Sequence, residues 1–541
     1  MYVIKNCWGF FVVLLLSICA IAPFSIPGFF PMHDDTQVVR VYEMSRALSD
    51  GHFPVRWVKD LGYGYGYPLF NFYAPLPYYV GALLSMVDFN ALISTRIMMA
   101  IGVLLAGVFM YLFSRKFWGE TGGIVAGLFY MYAPYHAVEV YVRGAVGEFW
   151  AYAFLPLLSL GLLTRNVVVG AIGFAGVILS HNLTAFMLTP FLLIALLLQF
   201  LISKNVTSSK YQVLSVLLGA GLSAFYWLPA LFELGYTNVQ SQIGGGADFR
   251  DHFICWQQLW QSPWGFGGSA AGCMDGLSFK LGKLHILASF AALIFAVLRW
   301  RKEQLGIVFT AVGFLLLGIF LMLEISKPLW EAISPMAFLQ YPWRFLVFAS
   351  FFSAFLAGAF IWFVSRSPKV SLGIAAILLS VLFYTNVGLF EPKTIDAKAV
   401  EDFISNYHTK WVTSRISDEY MPKDFKKPTS EKEVIERRVS VGEITVDKTQ
   451  ELVFVVNEPE TKQVTIAIAP FPAWHVSMDG KRISYIDSNK GIVLAVPSGL
   501  HTIRIAFAST PVETIANSIS IVSIFMLVGG ILVFSKKHGK S

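Results

Sequence analysis

The chain has 541 residues, of which 56% are hydrophobic, 15% aromatic and only 14% charged. No soluble globule of this length needs so much apolar sequence, and a membrane protein does. The formal net charge of +7 sits in short clusters between apolar runs. It forms no basic stripe of the kind that tracks a phosphate backbone, which excludes nucleic acid as a partner.

The first apolar run extends from Trp8 to Phe30. Lys5, an apolar core and Ala20-Ile21-Ala22 resemble a signal peptide, but Pro23 follows at once and the run continues, so an uncleaved first span is expected. Lys5, Arg115-Lys116, Arg165, Lys204 to Lys210, Arg299 to Lys302, Arg366 to Lys369 and Lys536 to Lys540 flank later runs. Placing every cluster in the cytoplasm predicts about 12 spans with both termini inside, at roughly 8–30, 92–113, 118–134, 149–163, 166–180, 183–202, 211–231, 283–299, 305–323, 343–364, 370–389 and 514–534. Pro77 to Val87 reads as an external or interfacial helix, because a further span there would put Arg115-Lys116 outside. The fold class is thus an α-helical polytopic membrane protein with a polar C-terminal region. Residues 1–390 form the multispanning domain with its first external loop at 31–91. Residues 391–512 are extracytoplasmic, and 513–541 hold the last span and a basic tail.

His33-Asp34-Asp35 follows the first run, so two carboxylates sit near the membrane face, where charge costs far less than at the bilayer centre. One aspartate is enough to cap the helix that follows. Two acids and a histidine exceed that need, and Asp34 and Asp35 are the catalytic candidates. Val38, Val41, Tyr42, Ser45 and Leu48 keep a helical spacing, with Arg40, Glu43, Arg46 and Asp50 on the other face. This predicts an amphipathic helix lying on the membrane. His52 to Trp57, with Arg56, precedes Gly62-Tyr63-Gly64-Tyr65-Gly66-Tyr67. Alternating Gly and Tyr lets backbone approach a ligand while rings face it, and sugars stack on such rings. Interfacial aromatic residues are the alternative. His33, Arg56, Tyr63 and Tyr65 are therefore substrate-binding candidates.

The string HDDTQVVRVYEMSRALSDGHFPVRWVKDLGYGYGYPLFNFYAPLPYY resembles the first external loop of the GT-C superfamily, membrane glycosyltransferases that use polyprenyl-phosphate-linked sugars. More narrowly it resembles the bacterial multispanning family labelled 6-pyruvoyl-tetrahydropterin synthase-related, although no His-rich zinc constellation of a soluble pterin enzyme is visible. The resemblance covers nearly the whole chain. It implies that an acid of this loop acts as catalytic base or metal ligand, which falls on Asp34 or Asp35, with Mg or Mn as the possible divalent cation. It also implies a polyprenyl-phosphate-linked sugar donor and a glycan, lipid or protein acceptor.

The next polar segment, 135–148, carries Arg143 and Glu148 at the mouth of a span. It holds no Asp-x-Asp, which weakens a metal reading. An ion pair orienting the helix is the alternative to a role in binding. Ser180-His181-Asn182 makes a tight turn, where His181 either caps a helix end or meets a phosphate or hydroxyl. Tyr341-Pro342-Trp343-Arg344 opens another span. Arg344 there either snorkels to the surface or grips a lipid phosphate with its planar fork. Arg143 and Arg344 are the donor-phosphate candidates, and Glu148, His181 and Tyr341 complete the substrate-binding set. Cys255 and Cys273 share one loop, and spacing leaves a disulfide between them open. Gly244-Gly245-Gly246 with Gly265 to Gly268 is too irregular for a phosphate-binding loop.

From Val439 to Phe507 seven alternating segments appear, with Asp479-Gly480 as a hairpin signal. They predict a small β-sandwich at about 437–510. The expected function is hexosyl or pentosyl transfer from a polyprenyl-phosphate donor to a cell-envelope acceptor. The protein would sit in the cytoplasmic membrane, with its active face extracytoplasmic. A transporter or lipid flippase and a non-catalytic envelope assembly protein are the competing readings. Spans almost free of acids, and the absence of a repeat, disfavour the transporter.

Overall fold

A computed structural model describes residues 8–538 except 204–205, 245–246, 366, 436–437 and 440. Lys5, Lys204, Gly245, Gly246, Arg366 and Lys540, named above, lie outside the described residues.

Every stretch expected to span is helical. The helices are α1 (Trp8–Leu16), α2 (Gln37–Ser49), α3 (Ala91–Met131), α4 (Val146–Thr164), α5 (Val167–Ser180), α6 (Asn182–Ser203), α7 (Val206–Leu222), α8 (Ala224–Phe232), α9 (Lys283–Arg299), α10 (Lys302–Met322), α11 (Leu346–Val364), α12 (Pro368–Asn386) and α13 (Pro511–His538). Among the described residues, eight helices are long and apolar enough to cross a membrane, or up to nine when the bent pair α7–α8 is one span. That is fewer than the twelve expected, for physical reasons. Gly119 has φ 68°, a break at which α3 doubles back on itself, so the two spans expected at 92–113 and 118–134 are two packed halves counted as one helix. Helices α5 and α9 have 14 and 17 residues, short of the roughly 20 that span a bilayer upright. Helices α4 and α5 pack closely. A methyl group on Gly161 would run into the backbone of Gly170, so small residues let these two backbones meet.

Helices α7 and α8 meet at 72°. The break frees backbone groups, and the last span satisfies them. Ser520 Oγ of α13 accepts from Phe225 N at 2.8 Å and donates to the Gly221 carbonyl at 2.9 Å. Arg56 adds bonds to the Phe225 carbonyl and Asn517 Oδ1, both at 2.9 Å.

The C-terminal region is antiparallel sheet. Strands β1 (Glu443–Asp447), β2 (Glu451–Glu458), β3 (Lys462–Ile466), β4 (Trp474–Met478), β5 (Lys481–Ile483), β6 (Ile486–Ser488), β7 (Gly491–Val496) and β8 (Gly499–Phe507) form two sheets, ordered β1-β2-β8-β4-β5 and β3-β7-β6. Leu452, Phe454 and Val456 alternate inward on β2, as a two-residue period requires. The expected segment 483–486 resolves into two short strands, which raises the strand number from seven to eight.

The C-terminal region also corrects two readings of the first connecting segment. Helix α2 does not lie on a membrane with a wet polar face, because Arg40 and Glu43 are as buried as Val38 and Val41. Glu43 accepts the backbone N–H of Lys59 at 2.9 Å, and burial still pushes its carboxyl up to about 7. The Gly-Tyr run is core rather than ligand surface. Tyr63 OH donates to Asp418 at 2.7 Å, the Tyr65 carbonyl accepts from Ala469 N at 3.0 Å, and Tyr67 OH donates to the Ser417 carbonyl at 3.0 Å. The glycines let this loop seat against residues 414–435 and the sheets.

Candidate functional site

A cavity of about 900 Å³ opens where four connecting segments meet the bundle. Asp34, Thr36 and Arg40 line it from the first segment, Arg143 and Glu148 from the second, and His181 and Asn182 from the α5–α6 turn. Helix α8 supplies Tyr226, Trp227, Ala230 and Leu231, the approach to α11 supplies Gln340 and Arg344, and residues 416–420 close the far wall.

Local structure explains why Asp34 reaches this place. The N–H groups of His33 and Asp34 donate to the carbonyls of Val142 and Arg143 at 3.2 and 2.9 Å. Gln37 Nε2 donates to the carbonyls of Asp34 and Gly144 at 3.0 and 2.8 Å. Gly144 has φ 66°, and a side chain there would strike Met32, so only glycine closes this joint. The N-cap position of α2 is Thr36, and neither aspartate caps the helix. The Asp34 carboxylate therefore makes no hydrogen bond or ion pair among the described residues. It is half-buried and stands within the field of Arg143.

Two guanidiniums and one carboxylate form the charged end of the cavity. Arg143 Nη1 donates to Glu148 Oε2 at 2.8 Å, and Tyr135 OH donates to Glu148 Oε1 at 2.7 Å. Arg143 also lies 4.8 Å over the Trp343 ring, a cation–π contact that fixes its plane. Arg344 Nε comes within 3.9 Å of Glu148 Oε2, beyond hydrogen-bond reach. Its Nε and Nη1 are buried and donate to no atom among the described residues. His181 Nδ1 accepts from Thr184 N at 3.3 Å, which leaves the proton of the neutral ring on Nε2. Burial holds this imidazole down to about 3, so the ring is neutral at physiological pH.

The structure brings together Asp34, Arg143, Glu148, His181 and Arg344 from the expected set. It does not bring the others. Asp35 lies outside the lining, beside Asp396 and Lys398. Burial there pushes its carboxyl up to about 6, against the pull of Lys398. His33 Nε2 meets the Phe266 carbonyl at 3.1 Å. Arg56 is consumed by Asn71, Phe225, Asn517 and Glu513 at the α8–α13 contact. Tyr63 and Tyr65 pack against Trp411 and Phe425. Tyr341 stacks on Trp343 and sits under Arg344 without joining the lining. The pairing of Asp34 with Asp35 as one catalytic or metal-binding unit is corrected accordingly, since adjacent residues in the turn before α2 point to different surroundings.

Sequence reasoning missed Arg40, Tyr73, Glu419 and Tyr420, which line the same cavity. Arg40 carried one signal, its place six residues after Asp34. It also missed Glu139, a fully buried acid whose oxygens find no hydrogen-bond partner among the described residues and which stands within the field of Glu148, Arg143 and Arg344. No group of three or more His, Cys, Asp or Glu side chains that could hold a metal ion converges among the described residues.

Residues 70–244, about a third of the chain, match the model of the 6-pyruvoyl-tetrahydropterin synthase related domain, a membrane protein. They include Arg143, Glu148 and His181. An uncharacterised protein of Lactococcus lactis subsp. cremoris is 26% identical over 253 residues, 43% of this chain and 41% of that protein, so the chain spans less than half of that relative's length. Among solved structures, the apo oligosaccharyltransferase of Archaeoglobus fulgidus matches with a TM-score of 0.51 at 11% identity, over 82% of this chain and 63% of that one. An arabinofuranosyltransferase from Mycobacteria matches over 94% of this chain and 40% of its own at 12% identity, with a TM-score of 0.47, too low to weigh. The likeness at such identity is one of fold. The protein is a membrane protein whose fold is like that of the Archaeoglobus fulgidus oligosaccharyltransferase, and its residues 70–244 are similar to the 6-pyruvoyl-tetrahydropterin synthase related domain.

Proposed function

We propose that the protein is a membrane glycosyltransferase that moves a sugar from a polyprenyl-phosphate donor to an extracytoplasmic cell-envelope acceptor. The observation that carries this reading is Arg344, whose buried, unpaired donors stand beside Arg143 in a cavity that also holds a free Asp34 carboxylate. A buried guanidinium whose N–H groups make no hydrogen bond is costly even with Glu148 nearby, and a phosphate supplies the missing acceptors. Phe186, Leu231, Leu234 and Phe338 line the same cavity and offer a prenyl chain an apolar path.

In this reading Asp34 takes the proton from an acceptor hydroxyl as its oxygen bonds to the anomeric carbon. The bond from that carbon to the phosphate oxygen breaks, and its electron pair leaves with the phosphate. Arg143 and Arg344 stabilise the charge that develops there, and His181 Nε2–H donates to a phosphate or hydroxyl oxygen. Glu148 keeps the two guanidiniums from repelling each other before substrate arrives.

The 72° break between α7 and α8 resembles the discontinuous helices of transporters. Its freed groups are filled by Ser520 rather than left for a ligand, which disfavours that alternative. The test is mass spectrometry of envelope glycans from cells lacking the protein and complemented with wild type or Asp34→Asn. The reading expects a glycan lost on deletion, restored by wild type and not by the variant. Restoration by Asp34→Asn would overturn it.

A further inference from the structure

A second polar cluster lines the same cavity, apart from Arg143, Glu148 and Arg344 in sequence. Arg40 is its centre. Only 3% exposed, it donates from Nη2 to Ser417 Oγ at 2.9 Å and lies 4.0 Å over the Tyr73 ring. Its Nη1 reaches Tyr78 OH at 3.4 Å, while Nε is buried with no partner among the described residues. Glu419 lines the same wall and accepts from Ser417 Oγ at 3.3 Å. Tyr420 stands next to it, held by stacking on Phe72 at 5.4 Å.

Hydrogen-bonding capacity decides what this cluster accepts. Arg143 and Arg344 against Glu148 and Asp34 sum to zero, and it is the unbonded N–H groups of Arg344 that suit an anion there. Arg40 with Glu419 also sums to zero, and a second phosphate there would meet the Glu419 carboxylate. A donor and an acceptor side by side suit vicinal hydroxyls, each of which both gives and takes a hydrogen bond. The rings of Tyr73 and Tyr420 offer faces to the C–H side of a sugar. Thr36 and Arg40 share a face of α2 one turn apart, about 5.4 Å, which puts the cluster next to Asp34.

We propose that Arg40, Tyr73, Glu419 and Tyr420 form a subsite that grips the hydroxyls of a sugar ring, so that residues 416–420, far from the bundle in sequence, select the sugar. The proposal rests on the cavity being the transferase site described above. The sugar belongs either to the donor or to the acceptor, and the experiment separates the two.

The full-length protein in lipid nanodiscs is titrated calorimetrically with three kinds of probe. These are undecaprenyl phosphate, undecaprenyl phosphate bearing glucose, mannose or arabinofuranose, and the methyl glycosides of the same sugars added to lipid-loaded protein. A sugar-bearing lipid that binds more tightly than the bare lipid assigns the subsite to the donor, and a bound methyl glycoside assigns it to the acceptor. Glu419→Gln and Arg40→Lys are expected to weaken that sugar-dependent binding by about tenfold or more, with bare undecaprenyl phosphate changed by less than about twofold. The proposal is overturned if no sugar in either form adds binding to wild type. It is also overturned if Glu419→Gln, folded by its melting profile, leaves sugar affinity intact or weakens the bare lipid equally. Failure of wild type to bind bare undecaprenyl phosphate counts instead against the phosphate role of Arg143 and Arg344, and the glycoside arm still decides the subsite.

Discussion

Arg344 stands 3.9 Å from the same Glu148 oxygen that Arg143 holds at 2.8 Å. One carboxylate therefore serves two guanidiniums and satisfies only one of them. Arg344→Gln is expected to leave folding intact, because its buried donors contribute no hydrogen bond to the fold. The same change should weaken undecaprenyl phosphate binding by about ten- to a hundredfold. Glu148→Gln has the opposite profile. It leaves two buried cations uncompensated at a cost of about 3–5 kcal/mol. Loss of monodisperse protein after detergent extraction would register that cost, and an unchanged melting profile would contradict it.

Asp34 and Asp35 separate cleanly. Asp34→Asn removes a free carboxylate that lines the cavity with the Arg143–Arg344 pair and should reduce turnover by about 10²–10⁴-fold. Asp35→Asn should reduce it by less than about threefold, since Asp35 does not line the cavity. Initial rates of sugar transfer from an undecaprenyl-phosphate donor compare the two. Equal loss from both substitutions would restore the acid pair.

Asp35 also sets a dependence of stability on pH. Its carboxyl rises from 3.8 to about 6 because burial penalises the charge, with Lys398 pulling it down and Asp396 pushing it up. A group that holds its proton more tightly when folded adds stability below about pH 4 and loses it as the pH passes 6. Asp35→Asn should therefore stabilise the protein at pH 8 by on the order of 2 kcal/mol and do little at pH 4. Melting curves of the two proteins should draw apart as the pH rises from about 4 to 6 and keep a fixed separation above 6. A separation that is the same at every pH would contradict this origin.

Cys255 and Cys273 are joined, with their Cα atoms 5.5 Å apart. The bridge closes a loop whose Ser269 Oγ accepts from Trp343 Nε1 at 3.0 Å, and Trp343 in turn supports Arg143. Replacing both cysteines with serine should cost about 3 kcal/mol and expose residues 255–281 to limited proteolysis. Turnover should fall far less than in Asp34→Asn. An unchanged cleavage pattern would show that the loop is held without the bridge.

Most of the bundle was legible because long apolar runs declare themselves one at a time, without reference to neighbours. Basic clusters then set a common side, and the convergence of Asp34, Arg143, His181 and Arg344 on one cavity fits that parity. What stayed hidden depends on packing between distant segments. The polar face of α2 looked wet because nothing local reports that residues 414–450 will cover it. Tyr63 and Tyr65 looked like ligand surface because a glycine-tyrosine run reads the same whether the backbone approaches a sugar or another strand. Glu419 sat in a charged stretch, and only its position beside Arg40 sets it apart from its neighbours.

Ser520 fills the break in the cavity wall from a helix that lines no part of the cavity itself. Phe225 and Ser520 lie 295 residues apart in the chain. A change in α13 therefore reaches the shape of the site through the bent wall, without touching any side chain that faces the ligand space.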